Sequence, residues 1–590
     1  MNFNHKIKEI GATAVHDLYG ESLELNEIHI NETKAEFEGD YTIVTFNLSK
    51  LAKKKPAEIA EELGQKIMES NQAHFKGYNV INGFLNLSLT DSLLLGYAQE
   101  KNNVESRMAE KQADGKIMVE FSSPNTNKPL HFGHLRNNFL GDSIAKIYDA
   151  YGFSVCKANL INDRGIHICK SMIAWQQFAQ GATPESTQLK GDHFVGKYYV
   201  KFNDVYKEQI KTLVDQGIAE KDAERQAPIF LEAQEMLRKW EAGDEEIVEL
   251  WKKMNAWVYD GFEVTYKRLG ISFDRYYYES ETYLLGKKEV EEGLEKEVFY
   301  TKEDGSAWIN LEEDGLDEKL VLRADGTSVY ITQDIGTAEL KYQQEQMQKS
   351  VYVIGDEQNY HMKVLKLILE KLGKSHASGV HHLSYGMVEL PHGKMKSREG
   401  TVVDADDMVD EMLAIAKKNT EELGKVDGFT NEELETLYQT IGMGALKFYL
   451  LRVDPKKKMI FNPEESIDFQ GFTGPFVQYT HARLSSILRK ADSIGSITGS
   501  ELNADERKML IQLETFSSII EEAALDYSPS VICNYVFSLA KSMNSFLNLH
   551  QIIGAETEEK MSLRIAIAHL TKKTIAESLS LLGIDAPERM

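Results

Sequence analysis

The stretch 117–161 constrains the fold more than any other part of this sequence. Its apolar segment 117–121 predicts a short buried strand, and apolar residues at 3.6-residue spacing over 135–151 predict a helix that ends at Gly152. A second apolar segment, 153–161, predicts another strand. A strand, a loop, a helix and a further strand form a βαβ unit, which is the building block of a parallel sheet. We therefore predict an α/β core.

The remaining sequence predicts further domains around this core, because a chain of 590 residues is too long for a single one. Strand patterns at 328–333 and 351–356 complete a doubly wound, Rossmann-like sheet, and the glycines of 191–199 suggest a hinge. The predicted division is an N-terminal α+β domain (1–105), the sheet domain (106–375) with a mainly helical insertion near 170–290, a loop and connecting helical region (376–470), and an all-α bundle (471–590).

Composition excludes several classes of protein. Three cysteines, Cys156, Cys169 and Cys533, without CxxC spacing cannot form a disulfide framework, so we expect a reduced cytosolic protein without structural zinc. No apolar run approaches the 18 residues of a membrane span. A net charge of −25 weighs against a nucleic-acid partner. Much of the negative charge lies in residues 211–320, however, which hold 28 acidic and 15 basic side chains. A basic face elsewhere is therefore compatible with the sequence.

The segment EFSSPNTNKPLHFGH, residues 120–134, leads from the first strand into its helix. A helix N-terminus binds phosphate through unpaired N–H groups and a partial positive charge. Gly133 allows close approach of the backbone, while His131 and His134 can donate hydrogen bonds to phosphate oxygens. Alone, the pattern fits equally well two ordinary polar loop residues or half of a zinc site.

A second segment, LSYGMVELPHGKMKSREGTVV at 383–403, predicts a basic loop between two strands. Lys394, Lys396 and Arg398 are spaced closely enough to surround a triphosphate, although alone they are also compatible with a solvated charged turn. Together, the two segments resemble the HIGH and KMSKS signature loops of class I aminoacyl-tRNA synthetases. Neither a Walker A motif nor a GxGxxG motif occurs in these places.

Eight segments along nearly the whole chain resemble one family, the arginyl-tRNA synthetases. The matching segments are residues 119–137, 159–165, 191–199, 330–334, 381–390, 474–490, 534–549 and 581–590. The resemblance implies a class I catalytic core that forms arginyl-adenylate from L-arginine and ATP with Mg²⁺, then charges tRNA(Arg). It also implies a cytoplasmic monomer, without a membrane partner, that requires bound tRNA for the first step.

The same resemblance assigns the residues that act on ATP. The implied catalytic residues are His131, His134, Lys128 and Lys394. The implied ATP-binding residues are Asn125, His131, Gly133, His134, Lys394, Met395, Lys396, Ser397 and Arg398. The basic loop departs from the family pattern, because Ser397 stands where the second lysine is usual and Lys396 precedes it. Lys128, just before the HIGH-type motif, is expected to compensate. No protein side chain is assigned to a metal.

Arginine makes a separate chemical demand on its pocket. A guanidinium is always charged and offers a planar fork of donors, so carboxylates or comparable acceptors must face it. The positions that match the family's arginine pocket are Glu120, Asn125, Glu279, Tyr330, Asp334 and Gln358. Tyr330 and Asp334 are four residues apart, so they share one face at a helix start.

The terminal domains are implied to contact tRNA. Candidate contacts are Phe75, Tyr78, Tyr479, His481, Arg483, Asn534 and Asn544, since aromatic, arginine and amide side chains read single-stranded bases. Core packing is the alternative role for Phe75, Tyr78, Tyr479 and Asn544. Two other functions fit parts of the sequence: a small-cofactor nucleotidylyltransferase with an HxGH motif, and an inactive synthetase-like RNA-binding protein. The 120-residue helical C-terminus argues against the first, and the intact HxGH argues against the second.

Overall fold

The computed structural model describes residues 3–34, 36–106, 108, 113–389, 391, 403–422, 424, 428–491, 497 and 501–590. The N-terminal part is an antiparallel sheet of order β1-β2-β4-β3 with helices packed against it. Its elements are α1 (Phe3–Tyr19), β1 (His29–Glu32), β2 (Tyr41–Val44), α2 (Ser49–Ala52), α3 (Pro56–Ser70), β3 (Phe75–Ile81), β4 (Phe84–Leu89) and α4 (Asp91–Asn103). The predicted α+β unit is confirmed. The sequence pattern missed the mostly exposed edge strand β1, which has no alternation of apolar residues to reveal it.

The central sheet is entirely parallel, with strand order β12-β11-β5-β6-β7. Its strands are β5 (Lys116–Glu120), β6 (Ser154–Ile161), β7 (Arg275–Tyr278), β11 (Lys349–Gly355) and β12 (Val380–Tyr385). From β5 the chain proceeds to β6 and β7 on one side, and later to β11 and β12 on the other. The carboxyl end of β5 is therefore the topological switch point, where open α/β sheets form a ligand crevice.

The segment between β6 and β7 is helical, as predicted. It contains α6 (Ile166–Phe178), α7 (Pro184–Thr187), α8 (Gly191–Asp215), α9 (Glu220–Gln226), α10 (Pro228–Glu241) and α11 (Glu245–Leu269). The predicted hinge at 191–199 was wrong, because these residues are the first turns of α8. Its glycines serve close packing: a Cβ on Gly191 would lie 1.9 Å from the Trp257 carbonyl oxygen, and one on Gly196 would lie 2.8 Å from Pro129.

The predicted strand at 328–333 was also wrong. These residues lead into helix α14, and Thr332 caps its start through the Val329 N–H. The elements between β7 and β12, other than β11, are α12 (Glu279–Thr282), α13 (Lys287–Glu295), β8 (Tyr300–Thr301), β9 (Ala307–Ile309), β10 (Lys319–Leu322), α14 (Tyr330–Glu345) and α15 (Asn359–Lys371). Strands β8 to β10 form a small antiparallel sheet beside the core.

The C-terminal third is helical, as predicted. After the two-residue strand β13 (Val388–Glu389), which pairs with β14, its elements are α16 (Ala405–Glu422), α17 (Asn431–Leu451), β14 (Met459–Ile460), α18 (Pro463–Ser466), α19 (Gly474–Leu488), α20 (Ala504–Glu514), α21 (Phe516–Leu525), α22 (Pro529–Leu549) and α23 (Glu558–Leu581). Arg507 of α20 binds Asp40 and Asp91, so this bundle also holds the N-terminal domain. No helix among the described residues is long and apolar enough to cross a membrane.

Helix α5 (Phe132–Tyr151) connects β5 to β6 and is enclosed on all sides, with 14 of its 20 residues buried. It packs on the sheet and also on α16, α17 and the helices of the C-terminal bundle. The Arg136 side chain is fully buried within it and donates hydrogen bonds to four carbonyl oxygens. These acceptors are Gly386 at 2.5 Å, Lys457 at 3.0 Å, and Asp454 and Pro455 at 3.3 Å each.

We predict that Arg136→Met lowers the stability of the protein substantially. The substitution keeps the volume but leaves buried carbonyl oxygens without donors, at a cost of about 1–3 kcal/mol for each group that finds no other partner. The melting temperature measured by circular dichroism should fall by several degrees. Arg238→Met removes an exposed helical ion pair and is the matched control. An equal melting temperature for the two variants would contradict the role given to Arg136.

Candidate active site

The start of α5 is held by the two histidines of the HxGH motif. His131 is the N-cap, and its Nδ1 accepts a hydrogen bond from the Gly133 N–H at 3.1 Å. In return, Nδ1 of His134 accepts from the His131 N–H at 3.0 Å, and the two ring centroids lie 3.9 Å apart. Each ring thus satisfies a backbone donor that a helix start otherwise leaves unpaired.

These hydrogen bonds fix which nitrogen of each imidazole carries a proton. Because Nδ1 accepts in both rings, a neutral ring must carry its hydrogen on Nε2, which becomes a donor. Burial lowers the pKa of His131 to about 4, with a smaller contribution from the positive charge of Lys128. Burial also holds the pKa of His134 well below its usual value, helped by His131 and Lys128. Near neutral pH the site therefore offers two neutral Nε2–H donors.

Gly133 is required by the same arrangement. A Cβ on this residue would lie 3.0 Å from Cε1 and 3.1 Å from Nδ1 of the His131 ring, which is tighter than ordinary contact. A side chain would therefore disturb the capping hydrogen bond. The sequence argument for Gly133 was close approach of a nucleotide, whereas the structure shows close approach of the neighbouring imidazole.

The backbone at the end of β5 is strained where the crevice begins. Ser122 and Ser123 have positive φ angles of 76° and 44°, which non-glycine residues rarely adopt. Their N–H groups donate to the side-chain oxygens of Asn137 at 2.5 Å and Asn159 at 3.1 Å. Asn125, a few residues on, is exposed beside the carboxyl end of β6, where it forms a bridge with Asn162. No residue pattern predicted this strain.

The residues of the predicted basic loop, Lys394, Met395, Lys396, Ser397 and Arg398, lie outside the described residues. The described residues that follow them lie against the start of α5. The Phe132 N–H donates to the Val403 carbonyl oxygen at 2.9 Å, and the Ala405 N–H donates to Leu130 at 3.0 Å. Before the segment, Gly386 is held by Arg136 of α5. The chain therefore leaves and re-enters the described structure beside the HxGH motif.

A cavity of about 370 Å³ opens at the carboxyl end of β5, as the strand order requires. Four of the six residues assigned to arginine line it: Glu120, Tyr330, Asp334 and Gln358. Tyr330 is 78% exposed, which rules out the core position considered as an alternative. It begins α14, and Asp334 follows one turn later on the same face.

Glu120 is already paired with a cation of the protein itself. Its carboxylate contacts Nζ of Lys341, which is 2% exposed and also lines the cavity. The ammonium lies 5.1 Å and 5.5 Å from the ring centroids of Tyr352 and Tyr277. Although burial opposes it, the charge of Glu120 raises the pKa of Lys341. Lys341 therefore balances the charge of Glu120, and the role of Glu120 in binding arginine stays a prediction.

The carboxylate of Asp334 lines the cavity. The nearest partner among the described residues is His361, whose Nε2 lies 2.5 Å from one carboxylate oxygen. Glu279 is a second, half-buried carboxylate near this end. Burial raises the pKa of Glu279, and the charges of Asp163 and Asp334 raise it further, against the effect of Arg164. Glu279 does not line the cavity itself. The net negative charge of this crevice is therefore concentrated around Asp334.

Sequence reasoning missed Lys341 and His361, although both line the cavity at the carboxyl end of β5. Lys341 follows Asp334 by two helical turns on the same helix, so helical spacing could have revealed it. His361 follows Gln358 by three residues on the next helix. Neither carries a motif of its own, and their roles depend on contacts between distant segments.

A second cavity, of about 250 Å³, lies on the other side of His131. Its lining combines residues before the HxGH motif with residues of α8 and with Asp404. The lining side chains that carry charge or polar groups are Lys128, His131, His193, Lys197, Tyr199 and Asp404. Three of these six are cationic when His193 is protonated, which gives the strongly acidic chain a positive recess beside the two histidines.

Comparison with known proteins agrees with this geometry. Three family models match the chain: "Arginyl tRNA synthetase N terminal domain" at residues 5–89, "tRNA synthetases class I (R), catalytic domain" at 97–462, and "DALR anticodon binding domain" at 477–590. Among curated relatives, the arginine–tRNA ligase of Amoebophilus asiaticus is 50% identical over 100% of both chains. That of Flavobacterium psychrophilum is 51% identical over 98% of both. The chain belongs to the arginyl-tRNA synthetase family.

Solved structures of the family share the whole architecture. The arginyl-tRNA synthetase of Thermus thermophilus matches with a TM-score of 0.84 and 25% identity over 100% of both chains. The Plasmodium falciparum arginyl-tRNA synthetase matches with a TM-score of 0.81 at 18% identity, over 100% of this chain and 99% of that one, and shows the fold alone. The predicted class I fold, with its N-terminal domain and C-terminal helical domain, is thereby confirmed.

The structure separates the residues implied to contact tRNA in this synthetase family. Phe75 is 1% exposed and lies in the N-terminal core, so its implied stacking on a base was wrong. His481 is also buried, with Nδ1 2.9 Å from the Pro587 carbonyl oxygen, so its implied base contact was wrong too. Tyr78 is half-buried and donates to Glu61 at 2.8 Å. Phe75 and His481 are buried because each lies on the buried face of its strand or helix.

The C-terminal candidates lie on α19 and α22. Arg483 donates to the Asn544 side-chain oxygen at 3.0 Å, and Asn544 donates to Thr480 at 2.8 Å. These bonds join the two helices. Tyr479 is half-buried, whereas Asn534 is exposed on α22 and is accessible to a partner.

Two features of the described residues bear on metal binding, the cysteines and one cluster of a histidine with two aspartates. All three cysteines are buried and free. One described group has metal-ligand types at close range, His193 with Asp404 and Asp406, whose ligand atoms lie within 4.8 Å of one another. His193 and Asp404 of this group also line the second cavity, beside His131.

The pKa of His131 predicts how stability changes with pH. In the unfolded chain a histidine takes up a proton near pH 6.5, whereas the folded protein holds His131 neutral down to about pH 4. Protonation therefore favours unfolding, and stability is lost as the pH falls from 6.5 to 4. Replacing His131 with Asn keeps an N-cap acceptor and should remove about 1–3 kcal/mol of that loss.

Urea unfolding at pH 6.5 and pH 4.5 measures this effect. The exposed His29→Asn is the control, since water solvates its side chain in both states. If His131→Asn and the parent lose the same stability over this range, the imidazole is not held neutral by the fold.

Proposed function

We propose that this protein joins L-arginine to tRNA(Arg) in two steps that use ATP and Mg²⁺. The observation that carries the proposal is an anionic cavity at the sheet's switch point, next to a helix start that presents two neutral imidazole donors. The cavity suits a cationic amino acid, and the helix start suits phosphate. The family match supports the same pair of ligands.

The first step needs positioning more than proton transfer. The arginine carboxylate is already ionised, so its oxygen attacks the α-phosphorus of ATP directly. The bond to the bridging oxygen breaks, and pyrophosphate leaves with the electron pair. In the second step a ribose hydroxyl of the terminal adenosine attacks the carbonyl carbon of the adenylate, its proton is lost, and AMP leaves.

The cavity supports a specific placement of arginine. Asp334 accepts from the guanidinium, with the exposed Tyr330 hydroxyl beside it and Glu279 adding negative charge nearby. The Glu120–Lys341 pair lines the cavity without net charge, so the carboxylate of Asp334, beside His361, is the one proposed to balance the guanidinium. The amides of Gln358 and Asn125 remain for the polar groups of the arginine backbone and the nucleotide.

The phosphates are proposed to occupy the helix start. Nε2–H of His131 and of His134 donates to phosphate oxygens as charge develops on the leaving group, and Lys128 adds a positive charge beside them. Lys394, Met395, Lys396, Ser397 and Arg398 are proposed as the loop that closes this set. Mg²⁺ enters as part of the MgATP substrate.

The remaining proposals concern the outer parts of the chain. We propose that 1–105 and 471–590 hold tRNA around the catalytic part, which spans 106–375 with the connecting region 376–470. Of the candidate contacts, Tyr78, Tyr479, Arg483, Asn534 and Asn544 remain. The protein is proposed to act as a cytoplasmic monomer, as its family resemblance implies.

We predict that Asp334→Asn raises the KM for arginine by about 30-fold or more. The loss of a charged partner for a buried guanidinium costs about 2–5 kcal/mol. Pyrophosphate exchange with tRNA present measures the change, and the KM for ATP should stay nearly constant. Asp325→Asn, which changes an exposed carboxylate in the turn before α14, is the control. An unchanged KM for arginine would remove Asp334 from the pocket.

Glu120→Gln should behave differently from Asp334→Asn. It leaves the buried Lys341 ammonium without its carboxylate, so its main effect is a lower melting temperature. Thermal unfolding of both variants distinguishes the two roles. A stable Glu120→Gln protein with a greatly raised KM for arginine would show instead that Glu120 binds the substrate.

We also predict that His134→Ala lowers the rate of pyrophosphate exchange by several hundredfold, while binding of tRNA persists. The variant loses both an Nε2–H donor and the cap on the His131 N–H. Filter binding with labelled tRNA is the companion measurement. Full turnover in this variant would place the phosphates elsewhere.

A further inference from the structure

Helix α8 belongs to the helical insertion, yet it forms one wall of the cavity beside His131. The absence of a side chain at Gly196 lets α8 approach Pro129, next to Lys128. One turn earlier, His193 faces the same cavity. The proposed function assigns no role to this histidine, although it lies in one of the segments that carry the family resemblance.

His193 forms ion pairs with two carboxylates. Its Nε2 lies 3.1 Å from a side-chain oxygen of Asp404 and 3.6 Å from one of Asp406. Hydrogen bonding to Asp404, then to Asp406, raises the pKa of His193 to about 10, against the effect of burial. The negative charge of Asp192 acts in the same direction. At neutral pH this side chain is therefore an imidazolium.

The two carboxylates differ in how they are neutralised. Asp406 also contacts the ammonium of Lys190, and a carboxylate oxygen of Asp406 lies 3.5 Å from the guanidinium of Arg268. The same ammonium lies 3.1 Å from Asp192. By contrast, His193 provides the one ion pair that Asp404 makes with another described residue. Among the described residues, His193 is therefore the main counter-ion of Asp404, whereas Asp406 has Lys190 and Arg268 as well.

Asp404 lies where a negative charge would oppose ATP. Its chain neighbours hydrogen-bond to Leu130 and Phe132 on either side of His131, and its side chain lines the cavity that Lys128 also lines. Its charge acts on the His131 imidazole through space, since it raises the pKa of that ring against the effect of burial. Without a counter-ion, Asp404 would attract Lys128 and repel phosphate.

A divalent cation bound by His193, Asp404 and Asp406 is the alternative use of this cluster. It is disfavoured because Lys190 and Arg268 already supply positive charge to Asp406. The geometry instead matches a partly buried network of ion pairs that reaches from α8 to the start of α16.

We propose that His193 is a positioning residue that neutralises Asp404 and so keeps the recess beside Lys128 and His131 positively charged for the phosphates of ATP. The inference rests on the proposed function, because it presumes that ATP phosphates occupy this recess. It gives the helical insertion a part in nucleotide binding, although His193 itself acts through Asp404.

The test asks whether removing the negative charge of Asp404 restores the affinity for ATP that is lost when His193 is replaced by a neutral side chain. His193→Gln keeps a polar side chain but loses the charge, and we expect the KM for ATP to rise about tenfold with the KM for arginine within about twofold. Adding Asp404→Asn to the same chain removes the unpaired carboxylate and should return the KM for ATP to within about threefold of the parent. His193→Lys retains the charge and should bind ATP better than His193→Gln.

Controls separate this effect from a structural one. Exchange is measured at saturating tRNA, and His550→Gln, which removes a histidine–aspartate pair in the C-terminal bundle, should leave the KM for ATP unchanged. A double variant that is worse than His193→Gln would show that the pair serves folding alone and would overturn the proposal. An unchanged KM for ATP in His193→Gln would overturn it as well.

Failure of this inference is distinguishable from failure of the proposed function. If His134→Ala abolishes exchange while His193→Gln has no effect, only the role of His193 is wrong. If His134→Ala retains exchange, the phosphates do not lie at this helix start, and both proposals fall. Mg²⁺ titration of the parent and of His193→Gln tests the alternative, since a metal site at the cluster would make the ATP defect disappear at high Mg²⁺.

Discussion

The packing of helix α5 on every side is the constraint on which the rest of the structure depends. A helix without a solvent face must satisfy its polar side chains internally. Arg136 and Asn137 do so by binding backbone groups of distant segments, and those bonds fix where the segments lie. The Asn137 amide donates to the Val353 carbonyl oxygen at 2.7 Å, while Arg136 holds Gly386 and the turn at 454–457. The chemistry at the amino end of α5 thus rests on a fully enclosed support.

The two ends of the crevice divide the electrostatic work between them. At one end, neutral imidazoles and nearby lysines form a site for anions within a chain of net charge −25. At the other end, Asp334 provides a charge for a cation. The protein keeps these opposite charges from cancelling by pairing the extra ones internally, Glu120 with Lys341 and Asp404 with His193. The net charge of the side chains that line each recess is opposite in sign to the ligand proposed for it.

Much of the fold followed from local patterns in the sequence. The βαβ unit was predictable because strand, helix and Gly152 stop signal occur in order. The helical insertion and C-terminal bundle followed from helical periodicity. Two errors have one cause, which is that local patterns do not show what packs against a residue. The glycines at 191 and 196 suggested a hinge but serve contacts with Trp257 and Pro129. The apolar residues at 328–333 suggested a strand, but they begin α14.

The site was predictable where a motif carries it and not where distant contacts do. His131, His134 and Asp334 were found through the family resemblance. Lys341, His361 and the charge state of His193 required the fold, because each depends on a carboxylate far away in the sequence or on another helix. Burial likewise decides against Phe75 and His481 as base contacts, since the sequence does not show how deeply an aromatic side chain lies.

Pyrophosphate exchange with each of the twenty amino acids in turn, with tRNA and MgATP present, tests the central claim most directly. The account predicts that arginine alone supports exchange, because the cavity balances a single guanidinium against the charge of Asp334. Exchange with a neutral amino acid, or with none of the twenty, would contradict it.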